Sequence, residues 1–168
     1  MDPNQVERKY WRTFYGNVTE ELPPAAPPSK GKGFKITAYV DTYHTGNYVM
    51  RRPRTGCIIH INNSPVYWMS KKQNRVERHN FESEFMAMKH CTEYIRGLRF
   101  RLRMMGIPCE DPDFFYGDNK CVLCDTTIPD STSNKKSNFI DFHFVREGSV
   151  MDEWRTWYIN TDLNPVDH

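Results

Sequence analysis

The sequence has 168 residues, enough for one domain around a single core with room for a tail. Its 23 basic and 21 acidic residues leave a formal charge of +2, so bulk charge does not argue for nucleic acid. Five cysteines without a leading apolar segment speak against a secreted disulfide scaffold, and no run approaches the roughly 18 apolar residues of a transmembrane helix. An intracellular chain with no membrane partner is therefore expected, and the sequon Asn17-Val-Thr19 reads as coincidence.

Residues 1–33 read as a leader and linker. Tyr10 to Tyr15 suggests a short docking aromatic helix or turn, Leu22 to Pro28 is stiff with proline, and Ser29 to Gly33 is flexible. The domain proper is expected over 34–168. Phe34 to Asp41 alternates and is rich in strand formers, which predicts a first strand ending at Asp41. Thr55 to Ile61 predicts a second strand, and Pro65 to Met69 a third, in an antiparallel meander. Ser70 to His79 reads as a polar connection. From Asn80 to Gly106 the apolar residues Phe81, Phe85, Met88, Ile95, Leu98, Leu102 and Met105 recur at steps of three and four, the period of one buried face on a long helix. Asn80 would cap it, and Gly106 with Pro108 would stop it. Pro112 to Tyr116 predicts a fourth strand, Lys120 to Thr127 a brief helix, Phe139 to Glu147 another, and Trp154 to Ile159 a fifth strand. The expected class is α/β: a five-stranded mixed sheet with helices packed on it.

Glu84 falls near the middle of the long helix's apolar stripe, where an ionised carboxylate is costly unless something positive meets it. No Lys or Arg stands at positions 80, 81, 87 or 88 to do so. Either the helix's first turn is half exposed and Glu84 reaches water, or its partner comes from elsewhere in the fold or is a metal ion. Asp41 ends the first strand, Asp118 follows the fourth and Asp167 lies in the terminal segment. Were strands one and four parallel neighbours, Asp41 and Asp118 would share one carboxyl edge, with Glu84 aimed at it from the helix. Converging carboxylates repel unless divalent cations bridge them, and two Mg²⁺ ions so held suit phosphodiester cleavage. Taken singly, each acid has a plainer role: turn formation for Asp41 and Asp118, capping for Asp167. Between Lys71 and Arg103 nine basic residues outnumber four acids, which reads as a phosphate-backbone footprint or as an ordinary solvated helix face. Cys57 and Cys91 read as small hydrophobes. Cys121 and Cys124 have zinc-like spacing without a second ligand pair, which leaves a zinc module as an outsider.

Residues from about Phe34 to His168 resemble the ribonuclease H domain at the end of copia-type retrotransposon polyproteins. The resemblance rests on Tyr39-Val-Asp41, Arg51-Arg52 with Thr55-Gly56, Trp68 to Gln73, Glu82 to Ala87, Tyr116-Gly-Asp-Asn119, His143 to Glu147 and Asn164-Pro-Val-Asp167, in that order. The leader run from Phe14 to Glu21 resembles the connection to the reverse transcriptase. The resemblance implies that Asp41, Glu84, Asp118 and Asp167 are the catalytic, metal-binding carboxylates. It further implies Mg²⁺-dependent (or Mn²⁺-dependent) hydrolysis of RNA in an RNA–DNA hybrid, leaving a 3′-hydroxyl and a 5′-phosphate. The parent polyprotein would carry a reverse transcriptase, and the setting would be the cytoplasm, a virus-like particle or the nucleus. Lys71, Lys72, Arg75, the helix arginines and Asn119 would meet the nucleic acid.

Several positions depart from the family pattern. Arg78-His79-Asn80 replaces small hydroxyl residues, and Lys136-Ser-Asn-Phe139 stands where Lys-His-Ile-Asp is common. The chain stops one residue after Asp167, so the family's last helix and tail are absent, and Asp167 is expected to fray. No reverse-transcriptase palm is present. These departures keep open an inactive remnant acting as a binding or interaction module. An integrase-type nuclease is disfavoured because Glu84 precedes Asp118. His143 is read as a buried helix residue or, alternatively, a proton shuttle.

Overall fold

The computed structural model describes residues 8–43, 53–73, 80–128 and 139–166. Asp167, Arg75, Arg78 and the Arg51-Arg52 pair fall outside them. Five strands form one sheet: β1 (Ile36–Tyr43), β2 (Arg54–Ile61), β3 (Ser64–Lys72), β4 (Asp113–Gly117) and β5 (Trp154–Tyr158). Their order is β3-β2-β1-β4-β5. The first three are antiparallel, while β4 joins β1, and β5 joins β4, in parallel. The sheet is thus the mixed one expected, with strands one and four side by side.

Four helices accompany it: α1 (Arg8–Tyr15), α2 (Asn80–Met104), α3 (Lys120–Thr127) and α4 (Phe139–Val150). Alternation on the strands makes one face of the sheet apolar. Ile36, Ala38 and Val40 of β1, Cys57 and Ile59 of β2, and Phe115 and Trp154 of the parallel strands are buried there with Ala87, Cys91 and Ile95 of α2. Phe85 and Met88 continue the α2 stripe into a second cluster with Val122, Leu123, Phe142 and Val145, which seats α3 and α4 on the same side. α2 stops as the sequence suggests. Gly106 takes φ +74°, and the bonds from Gly106 N to Arg103 O and from Ile107 N to Leu102 O form a Schellman turn. Met105 lies past the helix end and is 65% exposed, so the expected buried stripe ends at Leu102.

The strand boundaries shift by a residue or more from expectation, and two of the shifts, in β1 and β3, bear on the site. β1 starts at Ile36 and runs on to Tyr43, because its whole length pairs with β2 from Ile36↔Ile61 to Tyr43↔Arg54. Asp41 therefore sits inside the strand. β3 continues through Lys72, paired with Arg54, so Lys71 and Lys72 stand on an edge strand and not in a connection.

The leader segment is fastened to the domain. Trp11 is buried, with the Arg146 guanidinium over its ring and over that of Tyr15. Lys30 N donates to Gly106 O. Glu20 receives Arg99 at 3.0 Å and Arg103 at 2.6 Å. Arg99, only 2% exposed, also pairs with Asp113 at 3.1 Å, and Arg96 pairs with Glu153 at 2.6 Å. For three members of the basic stripe the phosphate-binding reading gives way. Arg96, Arg99 and Arg103 turn inward to neutralise buried Asp113 and Glu153 and half-buried Glu20, because this face of α2 lies under the leader and the β4 and β5 starts.

Candidate metal centre and nucleic-acid edge

Parallel pairing sets the first two acids. The β1–β4 register aligns Tyr39 with Tyr116, so Asp41 and Asp118, each two residues on, reach the same level of the sheet. β4 ends at Gly117, leaving Asp118 free to turn where the chain enters α3. Asn119 makes that turn: its side-chain oxygen accepts from Cys121 N at 3.1 Å and Val122 N at 3.3 Å, a helix cap that Asx chemistry favours. The third acid comes from α2, whose start is bound to the sheet. Thr42 Oγ1 donates to Glu84 Oε1 at 2.6 Å. Gln73 Nε2 donates to Thr55 Oγ1 at 3.0 Å and to Ser83 O at 2.9 Å, joining β2 and the β3 exit to the same helix turn.

The result is a cluster in which one carboxylate oxygen from each of Asp41, Glu84 and Asp118 lies within 4.8 Å of the others. Asp41 is buried, while Glu84 and Asp118 are half-buried. Like charges this close repel by roughly a few kcal/mol per pair in partly solvated protein. A hard divalent cation that takes carboxylate oxygens and keeps waters suits such a donor set. Three of the four expected site acids, Asp41, Glu84 and Asp118, are therefore brought together, and the fourth, Asp167, lies outside the described residues.

The C-terminal segment is stitched onto the same edge. Asn164 is fully buried, donates to Val40 O at 3.2 Å and accepts from Val166 N at 3.3 Å. Thr161 Oγ1 donates to Asp118 Oδ2 at 2.9 Å. Gly56, paired with Asp41, is where Val166 passes: a Cβ there would come within 2.2 Å of the valine Cγ1. Thr42, Gln73, Thr161, Asn164 and Gly56 were not singled out as site residues. Gly56, Gln73 and Asn164 lie in the motif runs, which was the available signal; Thr42 and Thr161 gave none.

At the edge where nucleic-acid contacts are expected, Lys71 and Lys72 are exposed on β3. They line a 570 Å³ groove between β3 and α2 together with Gln73, Lys89 and His90. Lys89 is itself held by Glu93 at 2.8 Å and Asp141 at 3.5 Å. His143 is half-buried on α4, its ring edge-on to Phe142 at 5.6 Å. Cys57 and Cys91 are buried in the core as expected, whereas Cys121 and Cys124 are exposed free thiols.

This architecture is the ribonuclease H fold. Ribonuclease H1 from the halophilic archaeon Halobacterium salinarum NRC-1 shares it at 17% identity and a TM-score of 0.55, over 79% of this chain and 90% of that one. LC11-RNase H1, solved in complex with an RNA/DNA hybrid, shares it at 13% identity and a TM-score of 0.60, over 78% and 89%. Sequence relatives include the retrovirus-related Pol polyproteins of transposons RE2 and RE1 of Arabidopsis thaliana, each 26% identical over 132 residues, and the secreted RxLR effector protein 161 of Plasmopara viticola, 33% identical over 69 residues. The polyprotein match covers 79% of this chain and 9% of either polyprotein, so the chain corresponds to a small part of those two relatives. No protein-family model matches the chain. Among the described residues, no helix is long and apolar enough to cross a membrane.

Proposed function

We propose that this chain is the ribonuclease H unit of a retrotransposon Pol polyprotein, hydrolysing the RNA strand of RNA–DNA hybrids with divalent cations. The observation that carries the reading is the meeting of Asp41, Glu84 and Asp118 within 4.8 Å at the carboxyl edge of β1 and β4. These three would hold the ions, with Asp167 as a fourth ligand, since Val166 before it already rests on Gly56 beside Asp41. Bound Mg²⁺ or Mn²⁺, as a pair, would supply water activation and neutralise charge on the leaving oxygen. The chain's own part is preorganisation. The Thr42 hydroxyl orients Glu84, the Thr161 hydroxyl orients Asp118, and Asn164 holds the terminal segment against β1.

Lys71 and Lys72 on the edge strand, with Arg75 beyond it, would meet backbone phosphates, and the amide of Asn119 would reach the hybrid from its capping position. Discrimination for RNA would rest on the 2′-hydroxyls and on hybrid shape. In the parent polyprotein a reverse transcriptase would supply the hybrid. The test is cleavage of a labelled hybrid with Mg²⁺ beside the Asp118→Asn variant. Products with a 3′-hydroxyl and a 5′-phosphate from the parent alone support the reading; equal silence of both proteins defeats it.

A further inference from the structure

Cysteine is among the residue types most often buried, so two free thiols on the outer side of one short helix call for an account. α3 turns Val122, Leu123 and Thr126 into the core, while Cys121 and Cys124 stand three residues apart on its exposed side. The other thiols, Cys57, Cys91 and Cys109, are buried, and burial pushes those of Cys91 and Cys109 up. An accessible pair therefore stands against an inert background. Zinc does not explain it. A structural zinc ion asks for four ligands, and among the described residues the one group of three or more ligating side chains is the acidic cluster. Cys109 precedes β4 whereas α3 follows it, and the Cys109 Sγ rests on Ile107 O at 3.7 Å.

We propose that Cys121 and Cys124 are a thiol–disulfide exchange site, closed by small disulfides of the glutathione type, and that closure loosens the Asn119 cap beside Asp118. Helix geometry puts the two Cα atoms about 5 Å apart, inside the span of about 4.4–6.8 Å that a disulfide accepts. The Cβ atoms, about 5–6 Å apart on a regular helix, must close to about 3.8 Å, so the first turn has to give. Its inner side is held, because Val122 and Leu123 pack with Phe85, Phe142 and Val145. The adjustment falls on the cap, where Cys121 N and Val122 N donate to Asn119 Oδ1 at 3.1 and 3.3 Å. Asn119 directly follows Asp118, whose Oδ2 accepts from Thr161.

The exchange balances without a cofactor. One cysteine thiolate attacks a sulfur of the small disulfide, whose S–S bond breaks and releases one thiolate. The second cysteine then attacks the mixed disulfide, forming the Cys121–Cys124 bond and releasing the other thiolate. The two cysteine protons pass to the released thiolates, so the pair is oxidised by two electrons and the small disulfide is reduced. An effect on cations at Asp118 rests on the function proposed above, whereas the exchange itself does not.

The test treats the full chain with oxidised glutathione and follows its mass. The parent should lose two hydrogen atoms and keep no adduct, and a thiol reductant should restore it. Cys124→Ser, which lacks the second thiol, should trap glutathione on Cys121. Amide hydrogen exchange at Cys121 and Val122 should speed up in the oxidised parent, and its Mn²⁺ affinity should fall by about tenfold. The double variant Cys121→Ser, Cys124→Ser should show neither change. Glutathione adducts that persist on the parent, disulfide-linked dimers in place of the internal bond, or unchanged amide exchange and Mn²⁺ affinity after closure would each overturn the proposal. Failure of the reduced chain to bind Mn²⁺ strikes the metal reading alone, because mass and amide exchange still decide the thiol site.

Discussion

The two ends of α2 treat acidic side chains in opposite ways. At the C-terminal half, buried Asp113 and Glu153 and half-buried Glu20 each meet an arginine of the helix, so inward negative charge is answered by positive charge. At the N-terminal end, Glu84 is brought to Asp41 and Asp118, and acid is gathered onto acid. The first arrangement is what stability asks for, since a buried ion is tolerated only with a partner. The second costs stability and makes sense as a site. One helix therefore carries both a structural clasp and the proposed reactive edge, and the contrast separates arginines that hold the fold from the acids to which chemistry is assigned in the proposal.

The largest effect should come from breaking the clasp. Arg99→Ala strips Asp113 of its cation and Glu20 of one of two, and should destabilise the fold by about 3–5 kcal/mol in urea unfolding. A loss below about 1 kcal/mol would show that the arginine is a surface contributor after all. Asp41→Asn should do the reverse. In EDTA it should leave stability unchanged or raise it, because a repulsive charge is removed, while hybrid cleavage falls by at least about a hundredfold. Added Mg²⁺ should raise the melting temperature of the parent and not of this variant.

A smaller effect tests the terminal segment. Gly56→Ala places a methyl against Val166 and should cost about 1–3 kcal/mol if the segment stays. If the segment lifts instead, stability should hold while cleavage and metal affinity drop, and the two assays together tell which occurs.

The smallest effect is a slope with pH. Burial pushes the Asp113 carboxyl up to about 7, the pull of Arg99 offsetting this only in part because that guanidinium is shared with Glu20. A carboxyl raised in the fold favours folding while protonated, so its contribution is present below the ordinary aspartate value of 3.8 and is lost as pH rises towards about 7. Burial likewise raises Glu153, against Arg96. Glu20 runs the other way: burial would raise it, but the hydrogen bonds of Arg103 and Arg99 hold it below its ordinary value, so its contribution is lost as pH falls. Denaturation midpoints should decline from mildly acidic to neutral pH, and Asp113→Asn should flatten that decline.

Much of this was legible in the sequence. Alternation and helical period predicted the five strands and α2, and the odd position of Glu84 within an apolar stripe pointed to a partner from elsewhere in the fold. The acids were legible because a carboxylate in a buried stripe, or just past a strand, stands out against its neighbours. The arginines were not. Arg96, Arg99 and Arg103 look like a solvated face until the leader is seen to cover them, and no local pattern reveals that Glu20 returns from 79 residues away in sequence to meet Arg99. The extension of β3 was missed for a related reason. Lys71 and Lys72 read as connection, yet an edge strand tolerates lysine and uses it to discourage further pairing.

The most direct measurement is a Mn²⁺ titration of the full chain, followed by calorimetry, with Glu84→Gln alongside. If Asp41, Glu84 and Asp118 form a cation site, the parent binds Mn²⁺ and Glu84→Gln binds at least about tenfold more weakly while remaining folded. Equal Mn²⁺ affinity in the two proteins, or no binding by the parent, would contradict the account.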